Sequence, residues 1–369
     1  MRILQVITSL KIGGAEMLVV NMVSRLRELG HEVSVCVFNG ESTPLEQKLC
    51  EENPGIKIYR LGKGYYNPLY ILKLAHIMRR YDIVHSHNSS PQLFTALAGV
   101  LCSVGLCTTE HNTSNRKRGW KWYAPIESAM YGKYDHIVCI SKIAEEKLRE
   151  YMGGKWLISS SKQYNKISTI NNGVDVAGIH SAAPIAGAHE NGTFVATMVA
   201  GFREAKDQDT IIRAMAMLPE NYILWLVGDG VRRKILENLT ESLHLGNRVK
   251  FWGIRPDVAQ ILKASDAVVM SSHWEGLSLS NVEGMSAGKP FIASNVNGLR
   301  EVTQGYGILF EHENAEELAG ILQKLHDDSD YYRKTAERCY NRAKEFDISV
   351  TVRKYNEVYQ NIFSCRKEK

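Results

Sequence analysis

Short apolar runs and amphipathic stretches alternate along this chain from end to end. Runs of strand length occur at Ile3–Thr8, Glu32–Phe38, Lys57–Tyr59, Ile83–Ser86, Leu106–Glu110 and His136–Ile140. Between them lie segments with helical spacing of apolar residues, such as Ala15–Leu29 and Ile143–Tyr151. The alternation restarts with Phe194–Met198, Tyr222–Val227, Val249–Phe251, Ala267–Met270 and Phe291–Ala293, separated by helical stretches including Asp209–Met217, Val231–Leu243 and Asn281–Ala287. Apolar strands interleaved with helices are the pattern of buried parallel sheets built from βαβ units. The spacing predicts an α/β protein made of two doubly wound, Rossmann-like domains.

A chain of 369 residues exceeds one ordinary core, so two domains follow from length as well. Lys162–Gly192 reads as the linker: it holds the turn-prone Asn171-Asn172-Gly173-Val174-Asp175 and then the small-residue stretch Ser181–Gly192. The boundary is expected near Gly173, with domains over 1–173 and 174–349. The C-terminal piece 350–369 contains a helical pattern, Val350–Phe363, that is available to return to the first domain.

Composition narrows the class. Hydrophobic content of 44% and charged content of 23% suit a soluble globular protein. No apolar run approaches the ~20 residues of a spanning helix. Pro91–Val104 is interrupted by Gln92, Thr95 and Ser103 and reads as a buried helix. The chain opens on a strand pattern without the basic, apolar and small-residue regions of a signal peptide. Its seven cysteines are scattered, with no Cys-x-x-Cys pair; reduced thiols and a cytoplasmic location are expected.

Charge is uneven. Residues 1–175 carry 22 Lys+Arg and 15 Asp+Glu, a net +7, and residues 176–369 carry 23 and 25, a net −2. The basic half suits an anionic partner. No RNP motif, basic stripe or zinc spacing points to nucleic acid. An anionic membrane surface, met peripherally from its inner face, or a phosphate-bearing acceptor fits equally well. Arg116-Lys117-Arg118-Gly119-Trp120-Lys121-Trp122-Tyr123 interleaves basic and aromatic residues as such a surface requires.

Candidate chemistry gathers at the ends of predicted strands. Gly13-Gly14 opens a helix directly after the first strand, where bare backbone can approach a phosphate or sugar. The spacing is not Gly-x-Gly-x-x-Gly, which weakens a dinucleotide reading. Arg203 and Lys206 follow the first strand of the second half and are placed to neutralise a diphosphate. Glu275 is followed by Gly276-Leu277-Ser278, and Glu283 lies on the next helix. Carboxylates accept hydroxyl hydrogen bonds strongly, and helix N-termini attract anions, so this order suits a sugar joined to a diphosphate and a ribose. His111 ends another strand. His85 and His87 read as a polar loop after a strand. Asp207 and Asp209 sit at a helix start and read as caps, as do Asp328 and Asp330. No group of His, Cys and carboxylate has zinc spacing, so no metal is expected. A Gly-x-Ser-x-Gly elbow and a P-loop are both lacking, which argues against α/β-hydrolases and P-loop NTPases.

Taken in order, these positions resemble the family 4 glycosyltransferases of the GT-B fold over nearly the whole chain. The resemblance rests on Gly13-Gly14, Asn172–Asp175, the basic pair, Gly228-Asp229-Gly230, and Glu275 and Glu283 followed by Gly288-Lys289-Pro290. It implies two Rossmann-like domains facing a central cleft. The activity it implies is retaining, metal-free transfer of a sugar from a nucleotide-diphosphate sugar to a saccharide or lipid-linked saccharide, in surface polysaccharide, capsule or glycolipid synthesis. The nucleotide sugar is a co-substrate, and no other cofactor is implied. Glu275, His111 and Lys206 take catalytic roles by this resemblance. Gly13, Gly14, Arg203, Lys206, Gly253, Ile254, Arg255, Glu275, Gly276, Leu277, Ser278 and Glu283 take donor-binding roles. One departure stands out: Gly201 occupies the place where many members carry the arginine. Two other readings share the motifs, a GT-B nucleotide-sugar epimerase and a non-catalytic nucleotide-sugar-binding subunit.

Overall fold

The computed structural model describes residues 1–11, 13–111, 123–153, 166–186, 192–275 and 279–367. The chain forms two compact units: Met1–Gly173 together with Ile348–Lys369, and Val174–Asp347.

The first unit runs β1 (Arg2–Ile7), α1 (Gly14–Glu28), β2 (Glu32–Asn39), α2 (Pro44–Glu52), β3 (Lys57–Gly62), α3 (Leu69–Met78), β4 (Ile83–His87), α4 (Ser89–Ala98), β5 (Gly105–Glu110), α5 (Tyr123–Lys133), β6 (His136–Cys139), α6 (Lys142–Gly153) and β7 (Ile167–Thr169). Its strands form one parallel sheet in the order β3-β2-β1-β4-β5-β6-β7, with Ile3 opposite both Val33 and Ile83. Side chains alternate between faces along each strand. Leu4 and Val6 thus pack with Phe38 and Tyr134 on one face, and Ile3 and Ile7 pack with Leu18 and Val23 on the other.

The second unit runs α7 (Val176–Ser181), β8 (Phe194–Val199), a 3₁₀ turn (Glu204–Lys206), α8 (Gln208–Met215), β9 (Tyr222–Val227), α9 (Arg233–Ser242), β10 (Val249–Gly253), α10 (Val258–Ala264), β11 (Ala267–Met270), α11 (Leu279–Ser286), β12 (Phe291–Ser294), α12 (Arg300–Thr303), β13 (Ile308–Phe310), α13 (Ala315–Asp327) and α14 (Ser329–Lys344). Its parallel sheet has the order β10-β9-β8-β11-β12-β13.

The last helix, α15 (Ile348–Lys367), returns to the first unit and packs on α1 and β5. Ile348, Val352, Tyr355, Tyr359 and Ile362 are its buried stripe, the helical spacing that buries one face. Each such apolar side chain contributes about 1.5–3 kcal/mol when fully buried.

Two expectations are corrected. The Lys162–Gly192 stretch is not simply a linker, because β7 and α7 lie within it. Each is too short to print a period on the sequence. His85 and His87 do not form a loop; both lie inside β4 and are fully buried. The capping readings agree with the structure: Asp207 accepts from the Thr210 amide at the start of α8, and Asp328 from the Tyr331 amide at the start of α14. Among the described residues no helix is long and apolar enough to cross a membrane, and all seven cysteines are free thiols.

Candidate functional site

In each sheet the strand order reverses once, between β1 and β4 in the first unit and between β8 and β11 in the second. Loops beyond the carboxyl ends of parallel strands diverge at such a point and leave room for a ligand. Gly13 and Gly14 follow β1, Arg203 and Lys206 follow β8, and Glu275 follows β11 at these points.

In the second unit, the segments after β8, β9, β10 and β11 are stitched together. The His273 amide donates to the Ala205 carbonyl at 2.9 Å, and the Ser271 hydroxyl donates to the Asp207 carbonyl at 2.6 Å. These bonds hold the loop after β11 against the 3₁₀ turn. The Lys206 ammonium thereby meets the Glu275 carboxylate, with side chains 21% and 10% exposed. Ser272 also donates to Glu275, at 2.9 Å. A carboxylate and an ammonium are thus fixed together at the switch point, close enough for one ligand to meet both.

The Gly228-Asp229-Gly230 turn lies against Ala200–Phe202. A Cβ on Gly228 would stand 2.1 Å from the Ala200 carbonyl oxygen, and one on Gly230 would stand 2.4 Å from that of Phe202. The Gly228 amide donates to Gly253 at 2.8 Å, which brings the ends of β9 and β10 together. Gly253 has φ 67°, a left-handed conformation that favours glycine. Ile254 is 70% exposed. Arg255 is committed elsewhere: it pairs with Asp257 and its guanidinium lies 5.2 Å from the centre of the Trp252 ring.

Glu283 lies on α11 and is partly buried, and burial raises its carboxyl pKa. No hydrogen-bond donor to it is found among the described residues. Arg203 is exposed, and its side chain makes no ion pair among the described residues, so the two predicted cations separate: Lys206 is built into the site and Arg203 is not. Gly276, Leu277 and Ser278 lie outside the described residues. Among the described residues, the ligand atoms of Asp207, His273 and His312 lie within 4.8 Å of one another. Asp207 is already engaged by the Thr210 amide and hydroxyl, and His273 Nδ1 lies 2.6 Å from His312 Nε2.

In the first unit, Gly13 and Gly14 begin α1. Gly13 is extended, with φ −171°, a conformation open to any residue. A Cβ there would meet only the end of the Glu16 side chain, and one on Gly14 would meet nothing within 4 Å. The fold itself therefore does not require either glycine.

His111 follows β5 and joins a run of buried hydrogen bonds. Gln5 Oε1 accepts from His87 Nε2 at 2.8 Å, which leaves His87 Nδ1 to accept from His111 Nε2 at 3.0 Å. Gln5 Nε2 donates to the Tyr359 hydroxyl at 3.3 Å, and that hydroxyl donates to His85 Nδ1 at 2.6 Å. His85 Nε2 then donates to Thr109 Oγ1 at 2.8 Å, which also bonds the Tyr355 hydroxyl at 2.9 Å. With Gln5 so oriented, the proton of His111 sits on Nε2 and its Nδ1 keeps a lone pair. Gln5, His85, His87, Tyr355 and Tyr359 were not singled out as partners of His111 by the sequence. Polar residues at alternate positions of β1 and β4 are the signal that marks them, since a buried parallel strand otherwise has no use for them.

Burial pushes the His111 pKa down to about 4 from 6.5. His85 and His87 are held well below the ordinary value, by burial first and by neighbouring imidazoles second. The unfolded chain takes up protons below about pH 6.5 while the folded chain does not. Stability is therefore full above that pH and falls as the solution is acidified. For His111 alone the loss is about 1.4 kcal/mol at about pH 5.5. The slope of urea midpoint against pH is expected to flatten in His111→Gln. An unchanged slope would show that His111 is not a buried neutral imidazole.

The model described as Glycosyltransferase Family 4 matches residues 12–177, and the model described as Glycosyl transferases group 1 matches residues 184–346. The chain is 28% identical over 310 residues to UDP-Gal:alpha-D-GlcNAc-diphosphoundecaprenol alpha-1,3-galactosyltransferase of Escherichia coli, covering 76% of this chain and 75% of that one. It is 23% identical over 383 residues to the O-antigen biosynthesis glycosyltransferase WclY of Escherichia coli, covering 98% and 99%. Among solved structures, HepE of Anabaena in complex with UDP superposes with a TM-score of 0.79 at 21% identity, over 98% of this chain and 100% of that one.

Proposed function

Because this chain belongs to the family 4 glycosyltransferases and has their GT-B fold, we propose that it is a retaining hexosyltransferase that draws on a UDP-sugar and extends a lipid-linked saccharide. The observation that carries the reading is the Lys206–Glu275 pair at the switch point of the second sheet. The donor nucleotide and the lipid-linked acceptor are supported by the activity for which the similar Escherichia coli galactosyltransferase is named. Surface polysaccharide synthesis is supported by that of the O-antigen enzyme.

In this reading Lys206 neutralises the diphosphate, and its three N–H donors let it keep Glu275 while meeting a phosphate oxygen. Glu275 accepts hydroxyls of the donor sugar, and Glu283 those of the ribose, where a carboxylate without donors of its own gains two. The backbone of Gly253-Ile254-Arg255 meets the base, since the Arg255 side chain is held by Asp257. Gly13 and Gly14 let the first unit's backbone approach the donor, and the neutral His111 offers a lone pair to a sugar hydroxyl. Arg203 has the weaker claim on the diphosphate. The acceptor oxygen bonds to the anomeric carbon as the bond from that carbon to the diphosphate breaks. The acceptor proton passes to the departing phosphate oxygen on the same face, so configuration is retained without a protein base. Positioning and charge stabilisation then supply most of the rate. The reaction takes place peripherally at the inner membrane face, where the acceptor lipid resides.

The test is turnover of UDP-hexoses with an undecaprenyl-diphosphate saccharide, the product being read by anomeric coupling in NMR. An α-linked product from an α-configured donor is expected, with no epimer in the acceptor-free control. A β-linked product would overturn retention. An epimer formed without acceptor would overturn transfer.

A further inference from the structure

The face made by α3, its leading segment and α4 is not used by the donor chemistry. Tyr65, Tyr66, Leu69 and Leu72 are 42%, 60%, 62% and 63% exposed, and Leu97, Val100 and Leu101 at the end of α4 are 43%, 62% and 45% exposed. Leu69 and Leu72 lie one turn apart, His76 continues the same side of α3, and Arg80, just past its end, lies 3.1 Å from His76. α3 and α4 pack side by side: the Tyr66 ring lies 6.4 Å from that of Phe94, and Arg79 donates to the Leu101 carbonyl at 3.1 Å. Contiguous exposed apolar surface marks an interaction site.

Charge selects the occupant. From Asn53 through Tyr81 the chain has no Asp or Glu, while it has Lys57, Arg60, Lys63, Lys73, Arg79 and Arg80. α4 carries no charged residue. Asp82, the next acid, is paired with Arg2. Arg60 is likewise taken, by Glu46, and Lys57 lies over the Tyr59 ring, which leaves Lys63, Lys73, Arg79 and Arg80 to rim the apolar stripe. A protein partner would not require a rim of one sign over this length, whereas an anionic bilayer does, and tyrosines and leucines between lysines are what its headgroup boundary accepts. Of the Arg116–Tyr123 segment, which the sequence favours for this role, residues 116–122 lie outside the described residues and Tyr123 is buried.

We propose that the α3–α4 face docks on an anionic lipid bilayer, with Tyr65, Tyr66, Leu69 and Leu72 entering the headgroup boundary and Lys63, Lys73, Arg79 and Arg80 meeting lipid phosphates. This rests on the peripheral-membrane part of the proposed function and assigns it a surface. The test is flotation of the full chain with phosphatidylcholine vesicles, with and without phosphatidylglycerol. The bound fraction is expected to rise about tenfold with the anionic lipid and to fall with added salt. The double variant Leu69→Glu/Leu72→Glu is expected to lose that gain, while Val231→Glu, at a 91% exposed position of the second unit, keeps it. Both variants keep wild-type melting and wild-type transfer to a lipid-free acceptor. Equal recovery on both vesicles would overturn membrane docking itself. Wild-type flotation of the double variant would overturn this surface while leaving a membrane role intact. A dimer in sedimentation that the double variant abolishes, with no lipid response, would assign the face to a second copy and overturn the proposal.

Discussion

Glu275→Ala is expected to lower kcat/KM by about a hundredfold or more, and Lys206→Ala by a similar factor, in a protein that still folds. Removing a single preorganised charge-stabilising group costs on the order of 10² to 10³ in rate. Here the two groups are held by the same contacts: the loop after β11 is bonded to the 3₁₀ turn, and Ser272 orients Glu275. Groups that act as a unit give non-additive losses. The double variant should therefore be scarcely slower than either single one. Each single variant leaves a partly buried charge without its partner, so a stability loss of about 1–3 kcal/mol accompanies it, and melting must be measured beside kinetics. The double variant removes both charges and should recover part of that stability. Steady-state rates close to wild type in either single variant would remove Lys206 and Glu275 from the site. Rates that multiply in the double variant would show two independent contributions.

Much of this was legible in the chain, and the reasons differ from element to element. β1, β2, β8, β9 and β11 are long or uniformly apolar, and buried parallel strands leave that mark whatever the function. β7 and β13 have three residues each, too few for any period. Glu275 and Lys206, which the structure brings together, could be singled out because charges beside turns after strands serve little structural purpose. The partners of His111 were not. His85 and His87 look like a polar loop because a strand rarely buries two imidazoles, and only the tertiary fold brings Tyr359 of α15 from the far end of the chain to His85, and Gln5 and His111 to His87. The Arg203–Lys206 pair misleads in the opposite way. Two cations three positions apart look equivalent in sequence, but the 3₁₀ turn directs Lys206 inward to Glu275 and leaves Arg203 in solvent. The membrane face was hidden for a similar reason. The spacing of apolar residues in α3 does not say which of them are buried: Tyr70, Leu74 and Met78 fill that role, and Leu69 and Leu72 are left exposed.

Gly14→Val is expected to leave stability within about 1 kcal/mol of wild type and to abolish most transfer. Glycines are usually kept for the backbone, either for positive φ or for crowding by neighbouring atoms. Neither applies at Gly14: it is the first residue of α1, and a Cβ there meets nothing within 4 Å. A helix start also gains from losing glycine's excess freedom in the unfolded chain, so Gly14→Ala should be neutral or slightly stabilising. If the position is reserved for a ligand, activity must fall with side-chain size, modestly for alanine and by about a hundredfold for valine, since a misplacement of roughly 1 Å costs that much. The loss should appear in donor affinity and turnover together, because the same steric block displaces ground and transition states. Gly228→Ala supplies the contrast. Its Cβ would collide with the Ala200 carbonyl at 2.1 Å, so that variant should lose stability first. Full activity in Gly14→Val would mean that no donor atom approaches the start of α1.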